Sequence, residues 1–427
     1  MDRFRIHGGF PLKGSVVAAG SKNSTLPVLA ASLLLQGESK FKRVPGLRDV
    51  DTMLGLLESL DSSVVRMGDE VQIRVADSGR TSAPYEIVRK MRASVCVLGP
   101  LLARRGRAEA ALPGGCVLGV RPIDIHLRGL EALGARVSLE SGVIKAEAPR
   151  GGLQGAEIEM SGPRGSTVLG TANVMMAAVL AAGTTVLRGC AREPEIENLV
   201  AFLNSCGALI EGQGTDIIRI EGVSELRANL WTIPPDRIEA GTLLLAGAAT
   251  RGKVRVEKVL SSELAPLSNQ LLKAGVPVQI GEDWVEVDAA ETVPQATSLT
   301  TGPWPDFPTD LQAQWTAFAT QCSGLTEVQE SIYPERFLHV AELKRMGASA
   351  GCESGRAWVE GPCALQGAPV IASDLRASAA LVIGGLVAEG ETIVKRIYHL
   401  DRGYEGLENK LVDLGAQVLR EVDSESP

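Results

Sequence analysis

The chain has 427 residues, about two to three domains' worth, and 45% of them are hydrophobic against 22% charged, which excludes disorder as its main theme. A formal charge of −8 with no basic stripe excludes the usual footprint of a nucleic-acid binder. No apolar run approaches the ~18 residues of a membrane span.

The opening residues Met1-Asp2-Arg3-Phe4-Arg5-Ile6-His7 lack the apolar stretch of a signal peptide. Seven cysteines (Cys96, Cys116, Cys190, Cys206, Cys322, Cys352, Cys363) are scattered and never spaced as C-x-x-C. They predict free thiols in a reducing cytoplasm, with all but Cys116 buried in the core. The histidines His7, His126, His339 and His399 lie far apart, so no metal site is expected.

One phrase recurs along the chain: an apolar helix end, then Gly-Ala or a relative of it, then a β-rich run. Its marker positions are 61, 134, 207, 275, 347 and 415, spaced by 73, 73, 68, 72 and 68. A second marker keeps step at Gly37, Gly106, Gly183, Gly252, Gly324 and Gly390. Six units of alternating strand and helix are therefore expected, three to a lobe, with a left-handed C-cap after each helix. Apolar helices such as 172–180 are expected inside and the sheets outside. The two prolines Pro234 and Pro235 mark the boundary, and the first strand, up to about Ser21, is assigned to the second lobe.

Taken in chain order, Gly20-Ser21-Lys22-Asn23-Ser24 precedes a helical run from Leu26 to Leu35. Ser or Asn suits the N-cap and Pro27 the first turn. A lysine at a helix N-terminus suits an anion, although on the motif alone a capped helix with a solvated lysine is the plainer reading. Arg92 lies in Met91-Arg92-Ala93-Ser94 and Arg376 in Leu375-Arg376-Ala377-Ser378, and the two Arg-Ala-Ser triplets are read as corresponding helix starts in the two halves. Pro113-Gly114-Gly115-Cys116 forms a loop that lifts one thiol from the core near Arg121. Phe307-Pro308-Thr309-Asp310 ends a Pro-rich loop, where Asp310 serves either as a helix cap or as a functional carboxylate. Arg402, in Asp401-Arg402-Gly403-Tyr404-Glu405, is read as starting a helix, with a local ion pair to Asp401 or Glu405 as its bland alternative.

These phrases, with Ala83-Pro84-Tyr85-Glu86, Arg121-Pro122-Ile123-Asp124, Ala191-Arg192-Glu193-Pro194-Glu195-Ile196 and Pro235-Asp236-Arg237-Ile238-Glu239-Ala240-Gly241, run in the order of the enolpyruvyl transferase family. The sequence resembles its UDP-N-acetylglucosamine-using branch over essentially the whole chain. The resemblance implies an α/β fold of two inside-out, barrel-like lobes, each of three βα repeats, with the active site in the inter-lobe cleft. The lobes are drawn as 22–233, and 1–21 plus 234–427. It also implies a cytoplasmic enzyme of peptidoglycan synthesis that uses phosphoenolpyruvate and UDP-N-acetylglucosamine, with no cofactor and no obligatory protein partner.

By the same resemblance, Lys22, Arg121 and Arg402 hold the phosphate and carboxylate of phosphoenolpyruvate, and Asn23 touches both substrates. Arg92, the stretch Arg121, Pro122, Ile123, Asp124 and Ile125, Asp310 and Ile332 contact the UDP-sugar. Arg376 joins the substrate-binding set. Cys116 corresponds to the proton-donating loop cysteine, and Asp310 is the candidate base. Such a set suits the chemistry, because several fixed cations must offset two anionic substrates in a net-acidic protein. One stretch departs from the family pattern, Ser166-Thr167-Val168-Leu169-Gly170-Thr171, so nucleotide contacts from Arg164 to Val168 are carried over only weakly. Tyr333 is read either as stacking near the sugar or as a packed core tyrosine. The alternatives are transfer to another acceptor (shikimate 3-phosphate or a nucleotide) or a non-catalytic UDP-sugar binder. The Pro-Gly-Gly-Cys loop favours the UDP-sugar, and the joint presence of Lys22, Cys116, Asp310 and Arg402 favours catalysis.

Overall fold

One plan is built six times. In the computed structural model, which describes residues 2–77, 79–112, 123–163 and 165–422, there are six four-stranded sheets. Each has an edge strand parallel to its neighbour, followed by two antiparallel pairings. The second repeat shows the chain order: edge strand Ser82–Ala83, inner helices, strand Arg107–Ala111, outer helix Asp124–Ala132, then the hairpin Arg136–Glu140 and Val143–Glu147. The parallel pair requires a crossover, and the inner helix supplies it. Strands alternate buried and exposed positions, as in Glu38–Lys42 and Glu391–Lys395, so each sheet keeps one face on the helices.

Residues 2–19 and 235–422 form one compact unit, and residues 20–112 with 123–234 form the other. Each unit closes on itself with a strand from a distant part of the chain. Leu230–Thr232 lies parallel to Glu38–Lys42, and Lys13–Val17 lies parallel to Lys253–Glu257. Asp2–His7 enters the sixth sheet between Glu391–Lys395 and Gln417–Val422. The carboxylate of Glu239 fixes the end of this N-terminal segment, accepting from the Ala19 N–H at 2.6 Å and from Lys410 Nζ at 2.7 Å.

The inner helices are buried on nearly all sides because they are surrounded, except that Leu98–Arg105 ends in the part-exposed Arg104 and Arg105. They are Lys22–Ala31, Leu98–Arg105 and Val168–Ala178 in one unit, and Arg237–Ala249, Gln312–Ala319 and Leu375–Val387 in the other. All thirteen residues of Arg237–Ala249 are buried. The outer helices, such as Arg48–Ser59, keep one polar face. The helices-in, sheets-out arrangement expected from the repeat is thus the observed one. All six first-marker positions adopt positive φ, from 62° at Asp61 to 103° at Gly207. Asp61 is the one position there without glycine, and a short polar side chain tolerates that geometry. In the second series the fourth repeat differs. There Arg251 takes the left-handed turn (φ 52°), while Gly252 packs against the Leu12 backbone with no room for a Cβ.

Gly99 shows why inner helices need small residues. Its N–H donates to Asn173 Oδ1 at 2.7 Å, and a Cβ there would collide with the Asn173 carbonyl oxygen. Gly99→Ala is expected to destabilise the protein by about 1–3 kcal/mol through overpacking. An unchanged urea midpoint would contradict this account of the contact.

Several local expectations are corrected. The first inner helix starts at Lys22, not Leu26, because Ser21 Oγ caps it by accepting from the Ser24 N–H at 3.2 Å. Pro27 therefore lies inside the helix rather than in its first turn, and the run ends as a 3-10 turn, Ser32–Leu34. Arg402 ends a 3-10 helix, Ile397–Arg402, and the next helix starts only at Leu407, after Gly406 takes φ 54°. Arg92 opens the 3-10 turn leading into the inner helix of the second repeat of one unit, whereas Arg376 lies in the first turn of the inner helix of the third repeat of the other, so the repeats do not correspond. Cys352 is exposed within the edge strand Ala350–Glu353 of the fifth sheet, and Cys363 is half-buried, packed against the edge of the core rather than inside it. Among the described residues no helix is long and apolar enough to cross a membrane.

Candidate functional site

In the unit formed by residues 20–234, Lys22 is the first residue of an inner helix whose N-terminal N–H groups leave positive potential beside its ammonium. Its Nζ lies 3.7 Å from Asp49 Oδ2, and both side chains are largely buried. Asn23 follows it, half-buried. Arg92 opens the 3-10 turn Arg92–Val97 that leads into Leu98–Arg105. Ile123 is the cap residue and Asp124 the first residue of helix Asp124–Ala132, with Ile125 half-buried behind them. Cys116, Arg121, Pro122 and Arg164 lie outside the described residues.

Beneath this surface lies a polar link that the sequence reading missed. Asn173, fully buried in Val168–Ala178, donates from Nδ2 to the Val95 carbonyl and to His126 Nδ1, both at 3.1 Å, while its Oδ1 accepts from Gly99. His126 is consequently neutral, with its proton on Nε2. Burial first, and the charge of Arg92 second, push its pKa down to about 3. The signal available in the sequence was a lone Asn in an otherwise apolar helix, which must find partners.

In the unit formed by residues 2–19 and 235–422, the central group is Asp310. It is not a helix cap: helix Gln312–Ala319 has Leu311 at its cap position, and no side chain caps it. Instead two guanidinium groups hold the carboxylate. Arg376 Nη2 donates to Oδ2 at 3.0 Å, and Arg336 Nη1 lies 2.9 Å from Oδ1. Arg376 is 2% exposed and Arg336 6%, whereas Asp310 retains 26%. Arg376 is tied into the first turn of its helix, where Asp374 Oδ1 accepts from the Arg376 and Ala377 N–H groups. Its guanidinium lies 5.3 Å from the ring centroid of Tyr404, whose hydroxyl meets Thr242 Oγ1 at 2.9 Å and Gln314 Nε2 at 3.0 Å. Burial alone would depress the basicity of Arg376, but Asp310, Tyr404 and Asp236 reverse this and raise its pKa.

Arg336 was absent from the expected set. It also donates to Thr309 Oγ1 at 2.9 Å, and Thr309 in turn donates to Glu330 Oε2 at 2.9 Å. Glu330 Oε1 accepts from the Ile332 and Tyr333 N–H groups at 2.8 and 3.0 Å, which fixes the turn carrying Ile332. Tyr333 is half-buried under the Arg336 guanidinium (5.8 Å to the ring centroid), so it is not a packed core tyrosine. Asp401, beside Arg402 in the same turn, is engaged by Arg420 at 2.7 Å. Arg402 itself lowers the pKa of His399, after burial.

His339 is buried beside Arg336 and Asp374, and burial pushes its pKa down to about 4. His126 and His339 are thus neutral when folded but take up protons in the unfolded chain below its ordinary value of about 6.5. Their contribution is present above that pH and is lost as pH falls toward 4 and then 3. Each is expected to cost about 1.4 kcal/mol per pH unit in that window. The check is the slope of stability against pH near 5, which should fall by one proton in His126→Gln; an unchanged slope would refute the assignment.

The EPSP synthase (3-phosphoshikimate 1-carboxyvinyltransferase) family profile matches residues 6–411. A UDP-N-acetylglucosamine 1-carboxyvinyltransferase of Cellvibrio japonicus is 49% identical, over 98% of this chain and 99% of its own. The protein of that name from Sorangium cellulosum is 50% identical over the same shares. Among solved structures, the enolpyruvyl transferase NikO from Streptomyces tendae superposes with a TM-score of 0.89 over 98% of both chains at 24% identity. An EPSP synthase from Acinetobacter baumannii gives 0.75 at 16% identity, over 99% of this chain and 100% of its own. A family profile spanning nearly the whole chain, together with near-half identity to relatives of matching length, establishes that the chain belongs to the EPSP synthase family and, within it, to the UDP-N-acetylglucosamine 1-carboxyvinyltransferases.

Proposed function

We infer that the chain transfers the enolpyruvyl group of phosphoenolpyruvate to the 3′-hydroxyl of UDP-N-acetylglucosamine and releases phosphate, the first committed step of peptidoglycan synthesis. The observation that carries this reading is the near-half identity to the two transferases above over almost their entire lengths. The unpaired thiols of the six described cysteines support a cytoplasmic setting.

The reaction is an addition followed by an elimination. The sugar hydroxyl oxygen bonds to C2 of phosphoenolpyruvate, and its proton leaves to a base. C3 gains a proton, giving a tetrahedral intermediate. C3 then loses a proton as the C2–O bond to phosphate breaks. Asp310 is the proposed base, since a carboxylate suits a hydroxyl proton and Asp310 keeps part of its surface accessible. Cys116 is the proposed acid toward C3. Lys22, Arg121 and Arg402 offset the charge of phosphate and carboxylate, with Asn23 between the two substrates. Arg92, Arg121, Pro122, Ile123, Asp124, Ile125 and Ile332 are assigned to the UDP-sugar, and Arg376 to orienting Asp310 as well as to substrate.

The test is phosphate release from phosphoenolpyruvate with each acceptor in turn. UDP-N-acetylglucosamine should support turnover, and shikimate 3-phosphate should not. Release with shikimate 3-phosphate alone, or with neither acceptor, would overturn the reading.

A further inference from the structure

Arg420, in the last strand Gln417–Val422, gathers three carboxylates from three other elements. Its Nε donates to Asp2 Oδ2 at 2.9 Å, in the first strand. Nη1 donates to Glu408 Oε1 at 3.1 Å, in helix Leu407–Asp413. Nη1 and Nη2 together grip both oxygens of Asp401, at 3.0 and 2.7 Å, in the 3-10 turn Ile397–Arg402. The guanidinium also lies 5.9 Å from the ring centroid of Phe4, which is its register partner across the sheet.

A two-point grip fixes orientation as well as distance, which a single ion pair does not. Asp401 is the neighbour of Arg402, the last residue of the same turn. Without Arg420, three carboxylates would repel one another, and that of Asp401 would lose its two-point hold one residue from Arg402.

We propose that Arg420 is a positioning residue for phosphoenolpyruvate binding: its fork on Asp401 sets the turn that presents Arg402 and keeps the Asp401 carboxylate engaged away from the anion site. The inference rests on the proposed role of Arg402.

Steady-state kinetics on the full chain test it. Arg420→Ala should raise KM for phosphoenolpyruvate about ten-fold, the worth of one charge-assisted hydrogen bond, and leave KM for UDP-N-acetylglucosamine unchanged. Adding Asp401→Asn to Arg420→Ala should recover most of that loss, because the charge of the loosened carboxylate is gone. Arg420→Lys keeps a cation among the three acids but cannot span both oxygens of Asp401. It should raise the same KM about three-fold, and it serves if the alanine variant fails to fold. Glu408→Gln, which removes a partner outside the turn, should leave both KM values unchanged. Equal effects on both substrates, a fall in melting temperature without a KM change, or no recovery in the double variant would overturn the proposal. Arg402→Ala separates the two levels. If it leaves KM for phosphoenolpyruvate unchanged, the reading of Arg402 fails and this inference with it. If it raises that KM while the Arg420 variants do not, this inference alone fails.

Discussion

Asp310→Asn is expected to reduce turnover by about 10²–10⁴-fold, the range for loss of a positioned base. The substitution keeps the shape of the side chain but removes its charge and turns a donor toward one of two guanidinium groups. Arg376 and Arg336 would then sit 2% and 6% exposed without their nearest counter-charge. Loss of one partner from a buried ion pair costs about 3–5 kcal/mol. The lower end is expected here, because Asp310 is 26% exposed and Asp374 and Asp236 also act on the two arginines. Two measurements separate chemistry from scaffold. Thermal unfolding reports the loss of counter-charge, and UDP-N-acetylglucosamine affinity reports whether the site survives. A variant that still binds the sugar nucleotide and turns over within about three-fold of the unaltered enzyme would remove Asp310 from the chemistry.

A small epoxide bearing a phosphonate is expected to alkylate Cys116 in preference to the other six cysteines. Burial pushes the thiols of Cys96, Cys190 and Cys322 up to about 12 and that of Cys206 up to about 11, so their reactive thiolate is vanishingly scarce near neutral pH. Cys352 is the real competitor: it is exposed, although partial burial still raises its pKa. What favours Cys116 is delivery, because an anionic electrophile should be held by the cations assigned to phosphoenolpyruvate, Arg121 among them. Cys116→Ser should resist the compound and lose turnover by about 10²–10⁴-fold, since a hydroxyl is a poor acid and a weak nucleophile. Cys116→Asp keeps a proton donor and should stay active while resisting. Peptide mass mapping decides between Cys116 and Cys352, and modification of Cys352 with Cys116 untouched would defeat the assignment.

The sequence by itself determined the repeat, the largely apolar inner helices and all but one of the marked positions where the chain turns left-handed. Each is a local property. A marker at 134, 207 or 415 needs only a glycine after an apolar helix end, and positive φ follows from the absence of a Cβ. Lys22, Arg92, Asp310 and Arg376 were legible as candidates because charged residues at helix starts stand out against apolar runs. Their partners were not. That Asp310 is gripped by Arg336 and Arg376 rather than capping its own helix depends on bringing together residues 26 and 66 positions away. No spacing rule reaches that far. The same holds for His126 with Asn173 and for Arg420 with Asp2, separated by 47 and 418 positions. Exposure of Cys352 was likewise decided by which face of a sheet its strand presents. Local backbone chemistry fixed where elements begin and end, whereas charge pairing in a low-dielectric interior waited on the packing of inner helices against sheets, which only the tertiary structure decided.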